Sequence, residues 1–182
     1  MNRIKHIFVG ILIFMFFAIP ILFSAYSNKK SLNISRLIEN ENIEDISLTI
    51  YHLSPHALMF YPVSSVEDLI HRSKDDKIVI NGSDLEEHID LFRQISNDVL
   101  IPVRKKTTNL DLRMYYVLES KKNGKLIDVA MWGDEDNIFV NGFEVKENNI
   151  FYDVVIPFLP ENEVKELAEL KISNRKLSSK IR

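Results

Sequence analysis

The pattern of apolar and polar positions divides the chain into one long apolar run and a body of shorter, alternating segments. The run covers residues 7–26, carries no charge, and consists mostly of Ile, Leu, Phe, Val and Ala. A helix of this length spans roughly 30 Å, the thickness of the hydrocarbon core of a bilayer. The pattern therefore predicts a transmembrane helix near the N-terminus.

The same run has the layout of an export signal. Basic residues precede it, Pro20 interrupts it, and Ala25-Tyr26-Ser27 offers small residues for cleavage after Ser27. A retained anchor is favoured because the run is long enough to span the membrane. The alternative is a cleaved signal peptide and a secreted body.

The charges that flank the run nearly balance, with Arg3 and Lys5 before it and Lys29 and Lys30 after it. The positive-inside rule therefore does not determine the orientation. The order of basic, apolar and small-residue regions still favours a body outside the cytoplasm.

The body begins with a clear strand pattern. Residues 45–52 alternate, with Ile46, Leu48 and Ile50 on one face. Capping-box patterns at Ser64–Glu67 and Ser83–Glu86 then predict two helix starts. The second helix is amphipathic as far as residue 95, and another short helix is expected over 150–159.

A first hairpin is predicted at Asn123-Gly124, a pair typical of two-residue turns. Such a turn pairs Leu118 with Val129. It also places Glu119 opposite Asp128, an unfavourable like-charge pair, so a slipped or bulged register is the alternative.

A second hairpin is predicted at Asn141-Gly142, where Val140 faces Phe143 and Ile138 faces Val145. Two hairpins in tandem indicate an antiparallel meander. The expected fold is α+β: an N-terminal transmembrane helix, then one domain with an antiparallel sheet of tandem hairpins packed by two to four short helices.

The expected domain organisation has four parts. Residues 1–27 are the signal-anchor segment, 28–44 a stalk, 45–170 the extracytoplasmic α+β domain, and 171–182 a basic flexible tail.

Charge is strongly segregated along the chain. Residues 31–170 hold 14 basic and 26 acidic residues, whereas residues 1–30 and 171–182 hold no acid. An acidic body argues against nucleic-acid binding, which requires a basic surface. The chain has no cysteine, which excludes disulfides, Cys-ligated zinc and cysteine nucleophiles.

Candidate chemistry in the body is sparse. A metal site at His52 and His56 with a nearby carboxylate has no supporting spacing, and the acidic turn 133–137 lacks the other ligands of a calcium loop. Serine-hydrolase and phosphate-binding motifs do not occur. We therefore assign no catalytic, metal-binding or cofactor-binding residue, and we expect no cofactor.

An aromatic face is the remaining candidate for recognition. Tyr115, Trp132, Phe139 and Glu144 are expected on the sheet face opposite the main core. The protein's own helices cover this face in one interpretation, and a protein partner binds it in the other.

The order of these elements resembles that of small exported or membrane-anchored α+β domains of unknown function in Gram-positive bacteria. The residues that carry the resemblance are the strand Ile46–Ile50, the capped helix 83–95, the hairpin Ile138–Val145 and Phe158-Leu159-Pro160. It implies localisation rather than activity. We therefore expect an uncharacterised, single-pass extracytoplasmic domain that binds a protein partner at the cell envelope. The alternative is a secreted inhibitor, an immunity protein, or a hydrolase without a recognisable motif.

Overall fold

An antiparallel sheet of six strands, in the order β2-β1-β3-β4-β5-β6, forms the centre of the body in a computed structural model of the chain. The strands are β1 Ile46–His52, β2 Ile78–Asn81, β3 Leu112–Ser120, β4 Gly124–Trp132, β5 Ile138–Val140 and β6 Phe143–Val145. The α+β class predicted from the sequence is confirmed.

The structure describes residues 34–54, 57, 60–103, 111–132 and 137–169. The predicted transmembrane segment, the predicted basic tail, His56 and most of the acidic turn 133–137 lie outside these ranges. Among the described residues, no helix is both long and apolar enough to cross a bilayer.

The helices are short and lie before, between and after the strands, and the described residues hold six of them instead of the two to four expected. They are α1 Ile34–Glu39, α2 Val66–Ser73, α3 Ser83–Glu86, α4 Ile89–Arg93, α5 Ile150–Asp153 and α6 161–169, with 3₁₀ turns at Ile43–Asp45 and Ile156–Phe158.

The main core lies on one face of the sheet, where the inward residues of β1 alternate with half-buried ones as predicted. Tyr116 of β3 is fully buried on this face, and its hydroxyl donates a hydrogen bond of 2.9 Å to the carbonyl oxygen of Phe151. Further core side chains come from the helices and from the turns that follow them, including Ile34, Ile38, Leu85, Ile89, Phe92, Ile95, Phe151, Val154 and Val155.

The favoured register of the first hairpin is wrong by two residues, and the slipped and bulged alternative is the one adopted. Leu118 pairs with Ile127 instead of Val129, and a bulge follows at Leu118/Glu119. The turn holds three residues, 121–123, and Gly124 follows in the left-handed region with φ +69°. A three-residue turn followed by such a glycine is a standard hairpin closure. Over residues 114–118 a shift of two keeps the side chains on their predicted faces.

The second hairpin has the predicted register. Ile138 pairs with Val145, Phe139 with Glu144, and Val140 with Phe143. Asn141 and Gly142 both have positive φ, as a two-residue turn of this kind requires.

Two helix starts differ from the capping-box predictions. The side chain of Ser65, rather than Ser64, caps α2 by accepting a hydrogen bond from the amide of Asp68. The predicted helix over 83–95 consists of two short helices, α3 and α4, although its apolar stripe is buried as expected.

The element predicted over 150–159 is also divided: it is α5 followed by a 3₁₀ turn that contains Pro157. Proline cannot donate the amide hydrogen bond of an interior helical turn.

Part of the predicted stalk belongs to the folded body. Helix α1 lies before residue 45, and its Ile34 and Ile38 are only 0% and 2% exposed. Buried isoleucines at i and i+4 lie on the same face of a helix. The packed body therefore includes at least residues 34–44, ahead of the expected boundary.

Candidate functional site

His52 is the polar residue at the end of an otherwise apolar strand face. It follows Ile46, Leu48 and Ile50 on the buried side of β1, and only 9% of its surface is exposed. Its Nδ1 lies 2.6 Å from Oε2 of Glu163. A buried imidazole requires a hydrogen-bond partner, and this carboxylate supplies it.

Glu163 is presented by helix α6, which begins immediately after Pro160. One turn further along this helix, Oε2 of Glu166 accepts a hydrogen bond of 2.6 Å from the hydroxyl of Ser54. Residues three apart lie on the same side of a helix, so both carboxylates reach the chain segment at the end of β1. The two contacts join α6 to β1 and to the residues after it.

A cleft of about 340 Å³ lies between these elements. It is lined by His52, Ser54, Asp76, Ile78, Pro160 and Glu163. Its volume is at the lower end of the range for small-ligand sites, which run from about 300 to 1,000 Å³. A single side chain or small polar group fits such a space.

The electrostatics of the cleft are dominated by carboxylates. Burial raises the pKa of Glu163, the neighbouring imidazole of His52 and its hydrogen bond oppose this, and the nearby Glu166 and Asp76 raise the pKa further. A negatively charged ligand group placed beside Glu163, Glu166 or Asp76 would be repelled by these carboxylates. The lining therefore favours a positively charged group over an anion.

The hydroxyl of Ser54 is not arranged as a nucleophile activated by His52. A hydroxyl has one proton, and that of Ser54 is donated to Glu166. Nucleophilic catalysis of the serine–histidine kind requires the serine to donate to the imidazole instead.

Metal ligands are not gathered in the part of the chain that the structure describes: no three His, Asp or Glu side chains there are placed to hold an ion. The metal hypothesis for His52 and His56 involves a residue outside the described ranges. His52 itself is engaged with Glu163.

The predicted aromatic face forms a second apolar cluster. Trp132 is 8% exposed, Tyr115 and Phe139 are half-buried beside it, and Leu69 of α2 packs into the same cluster. The rings of Trp132 and Phe139 meet edge to face at 5.7 Å. Helix α2 therefore covers the part of the face around Trp132. Glu144 is half-buried opposite Phe139 on β6.

One polar atom in this cluster is unsatisfied. The indole Nε1–H of Trp132 is buried and has no hydrogen-bond partner among the described residues. Trp132 directly precedes positions 133–136, which lie outside those residues.

The His52–Glu163 pair was not predicted from the sequence, because its members lie 111 positions apart. The sequence did contain one signal that His52 has a partner. The alternation that buries Ile46, Leu48 and Ile50 places His52 on the same buried face. A polar side chain at such a position needs a partner.

Comparisons of this chain with known proteins gave no match. No protein-family model, curated protein or solved structure matches this chain.

Proposed function

We propose that this protein is a single-pass, membrane-tethered domain whose body lies outside the cytoplasm and binds a protein partner at the cell envelope. The apolar run 7–26 supports the tether, because it has the length and composition of a transmembrane helix. The cleft beside His52 supports binding as its activity.

The observation that carries the binding proposal is the composition of the cleft. Asp76 and Glu163 line it, and Glu166 lies next to it, while His52 is the one basic side chain of the lining. The partner therefore presents a cationic group, which is a lysine, an arginine or an N-terminal amine. The surplus of acidic residues in 31–170 also favours the approach of a basic partner.

The binding proposal is tested by crosslinking in intact cells. A photo-reactive residue replaces Ile78, which lines the cleft, and in a control chain it replaces Phe143, which is 75% exposed on β6. We expect one crosslinked product of defined mass from position 78, weakened by Asp76→Asn. Equal products from both positions, or a product unaffected by Asp76→Asn, would contradict the proposal.

The tether and its orientation are tested separately. Protease added to intact cells should remove the body and leave a membrane-bound N-terminal fragment. Protection of the body that persists after the outer layers of the envelope have been removed, and ends on lysis, would place it in the cytoplasm. An N-terminus starting at Asn28 would instead establish the alternative of a secreted protein, cleaved after Ser27.

A second candidate function is an exported hydrolase. The bond between Nδ1 of His52 and Glu163 favours it, because a carboxylate that fixes one ring nitrogen orients the other as a general base for water. Turnover of an ester, peptide or glycan substrate that is lost in both His52→Gln and Glu163→Gln, but kept in Glu161→Gln, would support this function. Turnover unchanged by these substitutions would exclude it.

A further inference from the structure

Two aromatic side chains project from the loop between β1 and α2. Phe60 is 101% exposed and Tyr61 76% exposed, the highest values among the large apolar residues described. Exposing adjacent rings is unfavourable unless something apolar contacts them. We call Phe60 and Tyr61 the aromatic tip.

The base of this loop is held in place by an ion pair and by backbone hydrogen bonds of Leu53 and Val63 to β3. Arg113 and Asp111 pair in β3 and just before it, with 12% and 14% of their side chains exposed. Arg113 donates bonds of 3.2 Å to the carbonyl oxygens of Ser54 and Ala57, and Asp111 accepts a bond of 2.9 Å from the amide of Val63. Both sides of the loop are thus bound to the sheet, and Val63 is buried beneath it.

The loop is also the uncharged part of a strongly charged body. Residues 53–66 contain no Asp, Glu, Lys or Arg, whereas residues 31–170 as a whole contain 40 of them. Bringing charged side chains to the hydrocarbon boundary of a bilayer is costly, and aromatic rings are enriched at that boundary. The aromatic tip is therefore the part of the body best suited to contact lipid.

The tether keeps the body close to a bilayer. Only residues 27–33 separate the apolar run 7–26 from α1. Seven residues span at most about 25 Å when fully extended. A bilayer that holds the run 7–26 is accordingly an apolar surface close to the start of the body.

We propose that the aromatic tip inserts into the interface of the bilayer in which the chain is anchored, so that the body is held to the membrane at two points. This inference rests on the proposed tether. The acidic surface disfavours broad contact with anionic lipid, so the contact is confined to the tip.

The absence of cysteine allows a direct test on the full chain. Phe60→Cys is labelled with an environment-sensitive fluorophore, and the chain is reconstituted into vesicles of equal parts phosphatidylcholine and phosphatidylglycerol. The matched control is Phe143→Cys, an exposed aromatic position on β6. We expect the label at 60 to shift to shorter wavelength and to be quenched by spin-labelled lipid, and the label at 143 to show neither effect.

The outcomes separate this inference from the tether. Vesicle-bound protein whose label at 60 stays in water would overturn the inference and leave the tether intact. Equal quenching at 60 and 143 would show unspecific contact and would also overturn it. Protein that does not float with the vesicles would refute the tether, and the inference with it.

A second measurement removes any contribution of the label to insertion. The fluorophore is placed at Ser64→Cys, an exposed position beside the loop, with the tip either intact or changed by Phe60→Ser and Tyr61→Ser. Loss of quenching at position 64 on removal of the two rings would support the inference. Unchanged quenching would contradict it.

Discussion

At the scale of single residues, glycine is required where the backbone adopts conformations that a side chain disfavours. Gly82 precedes α3 with φ +51° and ψ −121°, a region open essentially to glycine alone. A Cβ there would also lie 2.6 Å from Oε2 of Glu44. Gly142 has φ +77° in the β5–β6 turn, with no atom near the added carbon.

These two positions give a matched prediction. We expect Gly142→Ala to lower the free energy of unfolding by about 1 kcal/mol and Gly82→Ala by about 3 kcal/mol, because only Gly82 holds a conformation open essentially to glycine alone, whereas the exposed Glu44 side chain can move away from an added carbon. Urea unfolding followed by circular dichroism measures both. Equal losses in the two variants would show that the backbone conformation of the glycine does not determine the cost of the substitution.

At the scale of elements, α6 depends on polar contacts. None of its described side chains is fully buried, and two carboxylates on one face bind His52 and Ser54. Few buried apolar contacts are typical of segments that open locally without global unfolding.

Glu163→Ala should therefore loosen α6 selectively. We expect amide hydrogen exchange over residues 161–169 to rise about tenfold, equivalent to about 1.4 kcal/mol for a part-buried hydrogen bond, while exchange in β3 stays unchanged. Glu161→Ala, an exposed position on the same helix, is the control and should change neither. Faster exchange in β3 as well would mean that α6 unfolds with the core.

The pair of His52 and Glu163 also implies that the free energy of unfolding depends on pH. Burial raises the pKa of Glu163 above its ordinary value of 4.5, so the folded state binds the proton more tightly than the unfolded chain. Its stabilising contribution is full below pH 4.5 and is lost as the pH rises through the higher folded-state pKa. The glutamine of Glu163→Gln does not ionise. As the pH rises, the free energy of unfolding of this variant should therefore fall less than that of the wild type.

Urea unfolding at a series of pH values from 4.5 upward compares the two chains, with Glu161→Gln as the exposed control. The stability difference between wild type and Glu163→Gln should change with pH in favour of the variant. Parallel curves would show that Glu163 does not carry this dependence.

The elements also show how far the sequence alone determines the fold. Alternation located β1, and Asn-Gly pairs located both hairpins, because these signals depend on neighbouring residues. The favoured register of β3 and β4 was wrong, and the alternative of a slipped or bulged register, indicated by the like-charge pair Glu119 and Asp128, is the one that the structure has. The cleft was missed because it joins β1 to α6, and sequence patterns do not report which distant helix packs against a strand end.

At the scale of the whole molecule, the folded body extends toward the N-terminus beyond the strand that the sequence marks most clearly. Helix α1 contacts both β4 and α4 and contributes two buried isoleucines. A chain shortened to begin at residue 29 should therefore unfold like the full chain. One that begins at residue 45 should lose roughly 3–6 kcal/mol, the value of burying two isoleucines.

Thermal and urea unfolding of both shortened chains test this boundary, and Ile34→Ala with Ile38→Ala in the full chain is the point-mutant counterpart. Equal stability of the two shortened chains would place α1 outside the cooperative unit.

The position of β1 between β2 and β3 in the sheet has a consequence for how the chain folds during synthesis. One neighbour, β2, follows soon after it, but the other pairs Ile46 with Ser120 and His52 with Met114, separations of 74 and 62 residues. Pairings between such distant segments carry a large loop-closure cost and form slowly. Until residue 120 has been made, β1 has an open edge, so a chain that stalls midway through synthesis exposes an unpaired strand that can pair with a neighbouring copy.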